Sequence, residues 1–81
     1  MKAILTKYIG PSNTRGSRIK AFDSDGNSVT VPYDHALDSD ANHNLAAKSL
    51  RDKMNWKGKL IGGWTADGMA YVFDDPRYTI E

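Results

Sequence analysis

Two Asp-Gly pairs punctuate the chain, Asp25-Gly26 and Asp67-Gly68, and each lies between short runs rich in β-branched and aromatic residues. Glycine accepts the positive φ of a tight turn, so each pair predicts a β-hairpin. In the first hairpin, Ser17–Phe22 alternates Ile19 and Ala21 with Arg18, Lys20 and Phe22, and Ser28–Tyr33 sets Val29, Val31 and Tyr33 on one face. Pro32 has no N–H to donate and marks an edge position or a strand end. Lys59–Trp64 and Met69–Phe73 form the second hairpin, where Gly62 and Gly63 weaken the first strand and point to a bulge or a close backbone approach. Ahead of both hairpins, Lys2–Ile9 reads as another strand, with Ile4, Thr6 and Tyr8 alternating against Leu5, Lys7 and Ile9. The hairpins align with each other at an offset of 42, matching Gly16, Ile19, Phe22 and Asp25-Gly26 to Gly58, Ile61, Trp64 and Asp67-Gly68. Shared hairpin requirements account for this match.

One helix separates the hairpins. Ala46, Ala47, Leu50 and Met54 fall on one helical stripe with His43 at its upper end. Asp38 or Ser39 suits the N-cap, Asp40 the first turn, and Asn55 and Gly58 the stop. The expected fold is therefore α+β: a single antiparallel-rich sheet of about five strands, in the order β-β-β-α-β-β, with one helix packed on one face. At 81 residues the chain suits a single domain over 1–81 with a thin core. Asp74-Asp75-Pro76 ends the last strand, leaving residues 74–81 as a flexible tail or an extra edge strand.

The sequence contains no cysteine, which excludes disulfides, thiolate zinc sites and cysteine nucleophiles. No apolar run approaches the roughly 18 residues of a membrane span, and Met1–Lys7 is too short and interrupted for a signal peptide. A cytoplasmic protein is the expectation. The formal net charge is only +1, but the charge is blocky. Residues 1–22 hold Lys2, Lys7, Arg15, Arg18 and Lys20 with no acid, whereas residues 23–47 hold Asp23, Asp25, Asp34, Asp38 and Asp40 with no lysine or arginine. Residues 48–59 are again basic, with Lys48, Arg51, Lys53, Lys57 and Lys59 against Asp52. The helix dipole explains acids at the helix start and bases at its end. It does not explain two purely basic first strands. Lys7, Arg18 and Lys20 near Tyr8 and Phe22 fit phosphates and bases, or an acidic protein surface.

No constellation for catalysis stands out. Asp23–Asn27 superficially resembles a calcium loop, but its glycine is misplaced and no closing glutamate follows. Asp34, His35, Asp38 and His43 match no ligand spacing for a metal, and neither metal nor cofactor is expected. His35 and His43 are the only neutral-pH bases, and no nucleophile is paired with them in the sequence. Trp56 and Trp64 are expected in the core; an exposed one would act as an interface anchor. Gly10–Gly16 is the longest polar loop; it reads as an ordinary hairpin connection or, if the protein binds a macromolecule, as the recognition element through Ser12, Asn13, Thr14 and Arg15.

The string from Thr6 to Ala21, followed by Asp25-Gly-Asn-Ser-Val-Thr-Val-Pro-Tyr-Asp34, resembles a family of short proteins encoded by phages, prophages and other mobile elements. Lys57–Gly63, Asp67-Gly68 and Tyr71-Val72-Phe73 are similar to that family as well, so the resemblance runs to about Phe73 and leaves Asp74–Glu81 outside. It brings no catalytic or binding residue with it. It implies a non-enzymatic inhibitor of a bacterial defence complex, of the anti-CRISPR type, acting by protein–protein binding. Two surfaces are candidates: a basic one around Lys7, Ser12, Asn13, Thr14, Arg15, Arg18 and Lys20, and an acidic phosphate mimic around Asp34, Asp38, Asp40, Asp74 and Asp75. The alternative from the residues themselves is a small nucleic-acid-binding module that uses the basic first two strands.

Overall fold

A computed structural model describes residues 3–78 and 80. Five strands, β1 (Ala3–Ile9), β2 (Arg18–Phe22), β3 (Ser28–Pro32), β4 (Leu60–Trp64) and β5 (Gly68–Phe73), form one antiparallel sheet in the order β3-β2-β1-β5-β4. The helix α1 (Ser39–Lys53) connects β3 to β4 and packs on one face. This is the α+β architecture the sequence predicts. Lys2, expected in the first strand, lies outside the described residues. So do Thr79 and Glu81 of the expected tail, ahead of which Pro76–Tyr78 forms one turn of 3-10 helix.

Alternation decides what is buried. Ile4 and Thr6 of β1, Ile19 and Ala21 of β2, and Met69 and Tyr71 of β5 face the helix and are buried. Ala46, Ala47 and Leu50 meet them, and the two alanines let α1 approach the sheet closely. Val29, Val31, Met54, Trp56 and Leu60 close the margins of this core. The predicted helical stripe is thus the packed face, with Met54 at its half-buried end.

The helix ends are fixed by local hydrogen bonds. Asp38 is the N-cap, its Oδ1 accepting the Ala41 N–H at 2.7 Å. At the other end Asn55 adopts φ 57°. The Asn55 N–H donates to the Asp52 carbonyl and the Trp56 N–H to the Arg51 carbonyl, a Schellman stop with asparagine in the left-handed position. This reversal turns Trp56 back onto the sheet, where its ring meets Phe73 edge-on at 6.3 Å.

The glycines of β4 do not form a bulge. Pairing with β5 runs unbroken from Leu60↔Phe73 to Trp64↔Met69. Gly62 serves a close approach instead: a Cβ there would stand 2.5 Å from the Tyr71 ring. Gly68 begins β5 against β1, and a Cβ there would run into the Thr6 carbonyl. Leu50 is fully buried at the centre of the helix–sheet contact. Leu50→Ala is expected to cost about 2–5 kcal/mol of stability, read from urea unfolding followed by circular dichroism.

Candidate binding surface on the open face of the sheet

Because α1 occupies one face, the odd-numbered side chains of β1 and the even-numbered ones of β2 project from the other. Of the charged residues, the five strands contain only Lys7, Arg18 and Lys20. All three lie on this open face, alternating with the buried Thr6, Ile19 and Ala21. The register sets Lys7 directly opposite Lys20. Like charges facing each other across a strand pair are destabilising. The Phe22 ring partly offsets this, with the Lys7 and Lys20 ammonium groups 6.0 and 5.8 Å from its centroid. Beside them Leu5 lies opposite both Phe22 and Ala70, and Val72 opposite Ile61. The face is therefore an apolar strip with a basic flank.

Arg18 extends the basic flank to the β3 edge. There, Arg15, Arg18, Thr30, Tyr33 and His35 are among the residues lining a hollow of about 490 Å³. The Arg18 Nη1 is enclosed and has no acceptor among the described residues. A buried guanidinium nitrogen without an acceptor is costly. Tyr33 is held between Tyr8, edge-on at 5.7 Å, and His35 at 5.0 Å. The Gly10–Gly16 loop adjoins this end of the sheet. It closes on itself, the Ser12 N–H donating to the Arg15 carbonyl at 2.7 Å and the Arg15 N–H to Ser12 Oγ at 3.2 Å. Asn13, Thr14 and Arg15 are exposed on it.

The basic candidates thus gather along one face and one end of the sheet. The acidic candidates do not gather. Asp34, Asp38 and Asp40 surround the start of α1, whereas Asp74 follows β5, bonded to the Lys59 carbonyl, near the Trp56–Phe73 contact beyond the helix end. Fifteen helical residues, about 22 Å, separate the two groups. Asp75 is engaged by Arg77, with Arg77 Nη2 donating at 2.7 Å, and this pairing holds its carboxyl below the ordinary range. Asp23 spends its carboxylate on its own turn, accepting the Asp25 and Asn27 N–H groups at 3.0 and 2.9 Å. Among the described residues no cluster of three His, Cys, Asp or Glu is placed to hold a metal.

The structure does pair a hydroxyl with an imidazole: Thr6 Oγ1 lies 2.7 Å from His43 Nδ1. Both residues are almost wholly buried, at 3% and 2% exposure. With the ring protonated at Nε2, the Thr6 hydroxyl donates to Nδ1 and the Met69 N–H donates to Thr6 Oγ1 at 3.3 Å. The pair is a polar link between α1, β1 and β5, closed over by Trp64, whose ring stands edge-on to His43 at 5.2 Å. Sequence spacing alone gives no sign of it, since the partners are 37 residues apart. Asn42 is a second silent residue: its Oδ1 accepts the Asp34 N–H at 2.7 Å and its Nδ2 donates to the carbonyls of Asp34 and Asp38, each at 2.9 Å. Trp64, expected in the core, is instead 55% exposed.

Comparison with protein-family profiles, with curated proteins and with solved structures found no match to this chain. No helix among the described residues is long and apolar enough to cross a membrane.

Burial pulls the His43 imidazole below its ordinary value of 6.5, against a smaller upward pull from Asp40. As pH falls below 6.5, the unfolded chain takes the proton first. The stabilisation tied to neutral His43 is therefore complete above that pH and is lost as pH falls toward the lower folded value. The urea midpoint is expected to drop between about pH 7.5 and about pH 5.5, and His43→Gln to flatten that drop. An unchanged pH profile in the variant would refute this role.

Proposed function

We propose that the protein is a non-enzymatic binding module whose open sheet face engages single-stranded nucleic acid. The observation that carries this reading is the facing pair Lys7↔Lys20 with Phe22 beside it. The pair costs stability in the free protein, and a phosphate between the two ammonium groups would turn that cost into attraction. An aromatic ring next to a phosphate-binding pair is the arrangement used for stacking a base. Arg18 and Arg15, which line the hollow at the β3 edge, would receive a further phosphate there. The Thr6–His43 pair is enclosed and is read as structural.

A labelled single-stranded oligonucleotide is expected to bind with an affinity that falls steeply with salt. Lys7→Gln and Lys20→Gln should each reduce the log–log salt slope by about 0.7. Lys20→Gln should at the same time raise stability by about 0.2–1 kcal/mol, because it removes the like-charge pair. Absence of binding at about 50 mM salt to DNA or RNA would end this reading.

A second reading keeps the face and changes the partner. Leu5 and Ile61, 40% and 51% exposed, supply an apolar strip that a nucleic acid does not need and a protein does. The partner would then be an acidic component of a bacterial defence complex, and the protein its inhibitor. Recovery of a defence component by the native protein, but not by Lys7→Glu/Lys20→Glu, would favour that partner. Equal recovery by both would remove the face from it.

A further inference from the structure

We propose that β4 pairs with β4 of a second copy of this chain, joining two sheets edge to edge in a two-fold dimer. β4 is one of two sheet edges, and the two are built differently. β3 carries Pro32, and the Lys53 ammonium donates to its Ser28 carbonyl at 2.8 Å. β4 carries no charge, no proline and no bulge, which are the usual protections of a free edge. It also exposes two large apolar side chains, Trp64 at 55% and Ile61 at 51%.

The hydrogen-bond phase of β4 fixes which groups are free. The Thr65 N–H donates to Gly68 and the Asp74 N–H to Lys59, so the odd-numbered residues from Lys59 to Thr65 bond inward to β5. Leu60, Gly62 and Trp64 therefore present N–H and C=O outward. An antiparallel copy related by a two-fold axis through Gly62 sets Leu60 opposite Trp64 of the second copy, Gly62 opposite Gly62 and Trp64 opposite Leu60. Every outward donor and acceptor of the strand then meets its complement.

The side chains agree with this register. On the helix side, Leu60 packs beside Trp64 of the second copy. On the open face, Ile61 lies opposite Gly63 of the second copy. Gly63 has no purpose inside its own chain: a Cβ there would meet nothing within 4 Å, and its backbone is not in the left-handed region. A glycine in a strand interior weakens it and is expected where something else approaches closely. The flanks agree as well. Lys59 falls opposite Thr65, so no like charges meet at the ends of the seam. This self-complementarity favours a second copy over an unrelated strand.

Sedimentation of the native protein from micromolar to millimolar concentration is expected to shift from the 9.0 kDa chain to twice that mass. Ile61→Lys with Gly63→Lys sets lysines opposite each other across the seam and should give a monomer at every concentration. Ile61→Lys with Gly63→Glu sets opposite charges there and should restore the dimer. Both positions are exposed, so circular dichroism should show each variant folded. Amide exchange of the unsubstituted protein provides a second readout: the Gly62 and Trp64 amides should gain protection only as concentration rises. A native protein that stays monomeric, a lysine pair that still dimerises, or outward amides that exchange equally fast throughout would each overturn the proposal.

Discussion

One helix covers one side of part of a sheet, and most of this molecule follows from that limit. Five hydrogen-bonded strands span about 19 Å between their outer axes, whereas a helix with its side chains is about 10–12 Å across. α1 lies over β2, with β1 and β3 beside it. The core therefore lies off centre, and Ala46, Ala47 and Leu50 are the only wholly buried apolar residues the helix contributes to it. Everything the helix does not reach is left to water or to a partner: the whole opposite face and the margin formed by β4.

Within the covered half, buried polar groups do what a larger core would do elsewhere. Thr6 and His43 tie the helix to β1 and β5. Asn42 holds the segment between β3 and α1 by both atoms of its amide. The Tyr71 hydroxyl donates to Asn44 Oδ1 at 2.6 Å, and burial together with Asp40 pushes it up to about 12, so it remains a donor at any physiological pH. Such satisfied groups specify one docking of helix on sheet, whereas two alanines and a leucine alone would tolerate sliding.

The parts of this architecture legible in the sequence are those encoded locally. Period-two alternation, two Asp-Gly turns, an aspartate N-cap and an asparagine stop are read within a few residues of one another, and they give five strands and a helix. Strand order was not legible, because β1–β5 pairing is a long-range contact that no local pattern reports. The same reason hid the Thr6–His43 bond. The exposure of Trp64 is not legible either, because aromatic size suggests burial while its actual setting depends on how far the helix extends over the sheet. Lys7, Arg18 and Lys20 share a face because alternation governs them, whereas Ser12, Asn13, Thr14 and Arg15 lie on the loop at the end of the sheet. The acidic candidates are split because the length of α1 stands between them.

The central position of β1 has a consequence for how the chain reaches this state. The turns joining β1 to β2, β2 to β3 and β4 to β5 are local, and hairpins of this size form within microseconds. The β1–β5 seam is different: Thr6 and Met69 are 63 residues apart. Closing so long a loop carries an entropic cost that no local contact offsets beforehand. Until that seam closes, β1 is itself an unprotected edge and the Thr6 hydroxyl lacks the Met69 N–H. Of the strand pairings in this sheet, the β1–β5 seam therefore closes the longest loop and carries the largest closure entropy, and it falls on the central strand.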